Sequence, residues 1–295
     1  MAGRRYIRLK EIPPSTNRVQ TPQESYRHFV DETLEVGPFL CRSDSNGFMV
    51  TGNEIDDDIE GLVFLGDSFV ESIFSHEESR FVSRVERELA ASGIPRRCLN
   101  GGYSGTTSLQ LVNILLNKVY PLIGAAGTVI LFVPQSDVKL LADEASYWTS
   151  SDLYASLLPP AVAEATELAQ GLESTRRVLQ IAVSVARELG IKLVLVSSPY
   201  RSAPHGEDAW LAERLRGDTY NRLLGWRKDL AATVSRVAAD NGIPFIDAAS
   251  YMRNQPDCFY DELHLNSKGQ FVFSSWLAHE ISDYLGAPAS LNEPE

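Results

Sequence analysis

Short, unbroken apolar runs alternate with longer amphipathic stretches along most of this chain. The runs are "GLVFLGDS" from Gly61, "RRCLNGG" from Arg96, "GTVILFVPQ" from Gly127, "IKLVLVSSP" from Ile191 and "IPFIDAAS" from Ile243. Consecutive apolar residues without polar alternation are the pattern of a strand covered on both faces. Between them lie "TSLQLVNILLNKVYPLI", "AVAEATELAQGLESTRRVLQIAVSVAREL" and "TYNRLLGWRKDLAATVSRVAAD", whose apolar residues recur at helical spacing. Strands alternating with helices require parallel pairing through crossovers, so the chain predicts an open three-layer α/β sheet.

Two regions depart from that rhythm. Residues 1–60 are rich in Pro and polar residues, end in the acidic "NEIDDDIE", and hold no complete domain pattern. They read as an N-terminal arm packing on a domain formed by residues 61–295. Later, "SDVKLLADEASYWTSSDLYASLLPP" follows the third strand and "YRSAPHGEDAWLAERLRGD" the fourth. Both leave the carboxyl edge of the sheet, where ligands bind in this class of fold. Tyr147 and Trp148 in the first, and Arg201, His205 and Trp210 in the second, are candidate substrate contacts. Each has an alternative reading as a loop anchor or exposed polarity.

Composition narrows the function. With 44% hydrophobic residues the chain has material for a sizeable core. The balance of 27 Lys and Arg against 39 Asp and Glu leaves a net charge of −12, which disfavours nucleic acid or an anionic membrane as a general partner. Three cysteines, Cys41, Cys98 and Cys258, stand far apart without C-x-x-C spacing, so buried free thiols are expected rather than disulfides or zinc. The first residues are basic without an apolar core, and no run has membrane-spanning length. The expected setting is cytoplasmic, with no membrane, metal or cofactor; oligomeric state is left open.

Chemistry enters at two junctions. The first strand ends in Gly66-Asp67-Ser68, just before a helical stretch. Either polar residue can cap that helix; alternatively, Ser68 stands at the mouth of the cleft. Near the C-terminus, "FYDELHLNSKG" sets Asp261 three residues before His264. A carboxylate there can accept from one imidazole nitrogen and fix its tautomer, leaving the other free to take a proton from a hydroxyl. This loop follows the fifth strand and opens on the same sheet edge as Ser68.

In these blocks the chain resembles the SGNH/GDSL hydrolase family. That family carries Gly-Asp-Ser after the first strand, a glycine after the second, Gly-x-Asn-Asp after the third and Asp-x-x-His near the end. Here "GDSF", "LNGGYSGTTS" and "DELH" supply the first, second and last blocks from about residue 60 onwards. The resemblance implies a flavodoxin-like α/β/α sandwich of about five parallel strands. It implies Ser68 as nucleophile, His264 as general base then acid, and Asp261 as the orienting carboxylate. The oxyanion hole would use the N–H groups of Ser68 and Gly105. In the third block the chain reads "PQSD", so Ser136 stands at the family's asparagine as a hydroxyl donor, with Gln135 beside it as an alternative amide, although adjacent strand residues face opposite ways. Losing one such donor costs roughly two to three orders of magnitude in other acyl-transfer enzymes.

The resemblance implies a serine-dependent hydrolase of a small ester or an acylated sugar or metabolite. An acyltransferase would use the same triad on a saccharide or secondary metabolite. A non-catalytic binding module with an altered oxyanion hole is the third reading, and retention of Ser68 and His264 runs against it.

Overall fold

In the computed structural model, which describes residues 4–285 apart from 55–58, 126, 144, 161–170, 205 and 216, the five apolar runs become five parallel strands. They are β1 (Gly61–Gly66), β2 (Arg97–Gly102), β3 (Thr128–Val133), β4 (Lys192–Ser197) and β5 (Phe245–Ile246). Their order across the sheet is β2-β1-β3-β4-β5. This is the flavodoxin-like winding, and its topological switch point falls between β1 and β3, where the carboxyl ends leave a crevice.

Seven helices matter to the site. They are α1 (Ser68–Glu71), α2 (Phe81–Ala91), α3 (Ser108–Ile114), α4 (Ser136–Leu140), α5 (Leu172–Glu188), α6 (Gly217–Asn241) and α7 (Ser267–Leu285). Leu62, Phe64, Ile130 and Phe132 point to one face of the sheet, where α2 and α7 bring Val85, Leu89, Leu277 and Ile281. Val63, Leu65, Val129 and Leu131 point to the other, against Leu111 of α3, Val183 of α5 and Val234 of α6. Helices on both faces are why these strands carry apolar residues at every position. Of the stretch expected to be helical from Ala161, the first ten residues lie outside the described ones.

Residues of the N-terminal stretch lie along the sheet rather than forming a core of their own. Asn17–Gln20 pairs antiparallel with Phe39–Arg42, and Tyr6–Ile7 pairs with Leu157–Leu158. Met49 forms an antiparallel bridge to Asn100 of β2, which covers the outer edge of the sheet. The buried Lys118 ties this stretch down through Glu11 at 2.8 Å and the Gly47 carbonyl at 2.8 Å. All three cysteines are free and buried. Among the described residues, no helix is long and apolar enough to cross a membrane.

Candidate active site

The two readings of Gly-Asp-Ser divide between neighbouring residues. Asp67 is the helix cap: its Oδ1 accepts from the Phe69 N–H at 3.1 Å. Ser68, the first residue of α1, is thereby left free for another partner. Phe69 anchors the turn in an aromatic cluster, its ring centroid 5.4 Å from Phe81 and Phe273 and 5.8 Å from Phe132. Helix α1 also presses on β2 at Gly102, where a Cβ would come within 2.3 Å of the Glu71 nitrogen. Only glycine permits that approach.

The second block of chemistry sits in a tight turn after β5, closed by an antiparallel bridge between Phe259 and Leu265. Asp261 Oδ1 accepts from the Leu263 and His264 N–H groups at 2.8 and 2.7 Å, which shapes the turn locally. Its Oδ2 then stands 2.6 Å from His264 Nδ1, and His264 Nε2 stands 2.8 Å from Ser68 Oγ. Nδ1 is the donor to the carboxylate, so Nε2 is the lone-pair nitrogen facing the hydroxyl. A hydroxyl in reach of such a base, itself oriented by a carboxylate, is the geometry of an activated nucleophile. Asp261 Oδ2 also accepts from the Tyr26 hydroxyl at 2.9 Å.

Burial and pairing oppose each other at these groups. Burial disfavours the charged imidazole, but the Asp261 carboxylate outweighs it and, helped by Asp67 and Glu71, holds His264 above its ordinary value. Burial likewise pushes Asp261 upward, yet the charge and hydrogen bond of His264 and the two amide donors hold it below the usual carboxylate range. The pair is therefore poised to stabilise an imidazolium. Asp67 and Glu71 are raised by burial, which their donors offset only in part.

The loop after β2 is clamped from both sides. Glu71 accepts from the Ser104 N–H at 2.7 Å and from the Ser104 hydroxyl. Lys10, 1% exposed, donates from Nζ to the Ser104 carbonyl at 3.1 Å. That carbonyl belongs to the same amide as the Gly105 N–H, so a cation on the oxygen polarises the N–H on the other side. Gly105 has φ +71°, the left-handed region in which a side chain is strained. Among the described residues, neither the Ser68 nor the Gly105 N–H donates to a protein acceptor. After β3 the picture differs. Ser136 directs both its N–H (3.2 Å) and its hydroxyl (3.4 Å) to Asp67 Oδ2. Its neighbour Asp137 is fully buried, pushed up to about 7 by that burial, and bound to the Ser108 N–H, the Ser108 hydroxyl and the Tyr147 hydroxyl.

Ser68 and His264 open into a cavity of about 400 Å³, walled by Ile73, Phe74 and Tyr260 and, from the N-terminal stretch, by Gln20, Gln23 and Tyr26. None of Gln135, Tyr147, Trp148, Arg201 or Trp210, the expected substrate contacts, lines it. Their contacts lie elsewhere, with Gln135 Oε1 and Trp210 Nε1 buried without a hydrogen-bond partner among the described residues. Gln135 directly precedes α4 and donates from Nε2 to the Ser198 carbonyl at 2.8 Å. Tyr147 is buried on Asp137, and Trp148 stands edge-on to it at 6.4 Å. Arg201 pairs with Asp31 and with Asp208 (2.6 Å), and donates to the Phe259 carbonyl at 3.0 Å. Trp210 lies against the guanidinium groups of Arg201 and Arg214. His205 lies outside the described residues. A separate cavity of about 460 Å³ opens at the opposite edge of the sheet, between Thr128, Lys192 and Pro244, and among the described residues no Ser, His or Cys lines it.

Sequence reasoning missed Lys10, Tyr26 and Glu71. Glu71 was open to discovery, because an acid three residues after Ser68 on a buried helix needs a donor. Lys10 and Tyr26 carry no local signal, being brought in by the path of the N-terminal stretch.

Residues 64–271 match the model of the GDSL-like Lipase/Acylhydrolase family. Among solved structures, the acetyl xylan esterase AlAXEase is similar over 76% of this chain and 98% of its own, at 16% identity and a TM-score of 0.51. Axe2, an acetylxylan esterase from Geobacillus stearothermophilus, is similar over 79% and 97%, at 17% identity and 0.51. A lipase/acylhydrolase from Enterococcus faecalis is similar over 77% and 97%, at 17% identity and 0.50. At such identity these likenesses speak to the fold alone. Among curated proteins, none matches the sequence.

Proposed function

The chain belongs to the GDSL-like Lipase/Acylhydrolase family, and from that premise we propose that it is a serine ester hydrolase acting on a small ester or an acylated saccharide or metabolite. The observation that carries the reading is the unbroken path Ser68–His264–Asp261, with contacts of 2.8 and 2.6 Å. In the proposed reaction Ser68 Oγ attacks the ester carbonyl as His264 Nε2 takes its proton. Asp261 steadies the imidazolium without itself taking the proton.

The oxyanion of the tetrahedral intermediate would be received by the Ser68 and Gly105 N–H groups, which have no protein acceptor among the described residues. Collapse breaks the ester bond, and His264 gives its proton to the leaving alcohol. A water then attacks the acyl-serine, giving its proton to His264, and the acid departs with Ser68 regenerated. Ser136 would join the hole only by turning its hydroxyl away from Asp67. We assign catalysis to residues 61–295, with residues 1–60 as an arm that completes the cavity wall.

Hydrolysis of p-nitrophenyl acetate and butyrate by wild type and Ser68→Ala, followed with intact-protein mass spectrometry, tests the reading. Nitrophenolate release should fall by about 10⁴-fold or more in the variant. An acyl adduct on wild type alone would identify the intermediate, and its persistence until an alcohol is added would turn the assignment towards transfer. Equal release by both proteins would sink the proposal.

A further inference from the structure

The cavity at Ser68 does not end at its own wall. A second cavity of about 230 Å³ shares Gln20, Ile73 and Ser104 with it, and four cationic side chains, Arg8, Lys10, Arg18 and Arg42, line this second space. A single carboxylate, Glu71, faces it, and that group is engaged by the Ser104 N–H and hydroxyl. Arg42 is neutralised by Glu77 at 2.7 Å. Among the described residues, the Arg8 side chain donates to the Asp152 carbonyl at 2.6 Å, and Lys10 Nζ to the Ser104 carbonyl. Among the described residues, neither Arg8 nor Arg18 has a carboxylate partner.

In a chain of net charge −12 this concentration of positive charge is out of keeping with the rest of the molecule. A low-dielectric cleft lined by one sign of charge focuses its field on whatever enters. Lys10 is lowered to about 8, chiefly by burial and then by the charge of Arg8, with Glu71 opposing. All four cations come from residues 1–60, outside the stretch that matches the family.

We propose that the N-terminal arm builds a cationic subsite beside Ser68 that receives an anionic group of the substrate, a carboxylate or a phosphate. This rests on the hydrolase reading for the position of the scissile ester. The ester lies at Ser68, and the charged group extends past Ser104 towards Arg8 and Arg18. The family-wide catalytic blocks then supply the chemistry, and the arm supplies the choice of substrate.

Three acetate esters on one ring separate the possibilities: phenyl acetate, 4-acetoxybenzoate and 4-acetoxyphenyl phosphate. With wild type, kcat/KM for at least one anionic ester should exceed that for phenyl acetate by about three- to tenfold, the sum of one half-buried and one exposed charge contact, Arg8 and Arg18. The preferred anion identifies the group. In the Arg8→Gln/Arg18→Gln double variant the ratio should fall close to one, whereas Arg236→Gln, which removes an exposed charge elsewhere, should leave it intact. Raising the salt concentration should shrink the wild-type ratio. Calorimetric titration of Ser68→Ala with the same compounds reads binding without turnover, and should give the same order of affinity. Should no ester be cleaved while that order of affinity holds, the hydrolase reading fails and the subsite stands. Equal handling of neutral and anionic esters by wild type, or an unchanged ratio in the double variant, overturns the subsite.

Discussion

Replacing Tyr26 by Phe removes one hydroxyl and little else. The ring, whose centroid lies 5.4 Å from that of Phe74, keeps its packing. What is lost is the 2.9 Å hydrogen bond to Asp261 Oδ2, the same oxygen that His264 Nδ1 approaches at 2.6 Å, and with it the hydroxyl's contact to Tyr260. Hydrogen bonds to charged groups contribute ~1.5–3 kcal/mol. Tyr26 is only partly buried, so water replaces part of the loss and the stability cost should be about 1 kcal/mol. The effect on catalysis has a definite sign. The tyrosine hydroxyl withdraws negative charge from Asp261; without it the carboxylate acts more fully on His264, whose proton affinity is already raised. His264 should rise further by about half a unit to one unit. Because the neutral imidazole is the base, the acid limb of kcat/KM moves to higher pH. Below that limb the variant should be about three- to tenfold slower than wild type, with a smaller difference on the plateau. The pH–rate profile for p-nitrophenyl acetate and urea denaturation of both proteins measure the two effects. An acid limb that stays in place or moves to lower pH would refute the coupling of Tyr26 to the triad.

Three further outcomes follow from the same geometry. Ser136→Ala should lower kcat less than about tenfold, far below the 10²–10³ expected for a working oxyanion donor, because its hydroxyl faces Asp67; a larger loss in steady-state kinetics would show that it turns towards substrate. Lys10→Met should lower kcat more than it changes KM. Wild-type activity should also decline as pH rises through about 8, where Lys10, facing Arg8, Glu71 and the Tyr103 ring, loses its charge; Lys10→Arg should retain activity to higher pH. Finally, Asp261 is held below its ordinary 3.8, so its contribution to stability is present above that value and lost as pH falls through its depressed one. His264 is held above its ordinary 6.5, so its contribution is full below 6.5 and lost as pH rises through the raised value. The difference in denaturation free energy between wild type and Asp261→Asn should therefore peak between about pH 4 and 6.5, and a flat difference would contradict the pairing.

Much of the fold was legible because its signals are local. A strand covered on both faces must be apolar at every position, and β1, β3 and β4 stand out for that reason. The short spacing of Asp261 and His264 works the same way: one turn, shaped by the aspartate's own hydrogen bonds to Leu263 and His264 N–H, brings carboxylate and ring together. The helix cap is local too: Asp67 accepts from the Phe69 N–H and leaves the adjacent Ser68 hydroxyl for His264.

The candidate substrate contacts do not line the cavity at Ser68, because a side chain's surroundings depend on distant chain. Arg201 and Trp210 have the chemistry of ligand-binding residues, yet Asp31, Asp208 and Arg214 engage them away from the cavity at Ser68. Tyr147 has an aromatic face suited to a sugar, but Asp137 takes its hydroxyl in the interior. Conversely, Lys10, Arg18 and Tyr26 lie in a stretch without periodicity, where nothing local marks them. The sequence by itself determined the layers, the strand order's parallel character and the residues able to form a triad, since periodicity and short-range hydrogen bonding need no knowledge of the rest. The tertiary structure alone shows that Met49 bridges to β2 at Asn100 and that Lys10 and Tyr26 reach Ser104 and Asp261. Contacts between residues 94 and 235 positions apart arise from the route of the chain, and no pattern within either partner encodes that route.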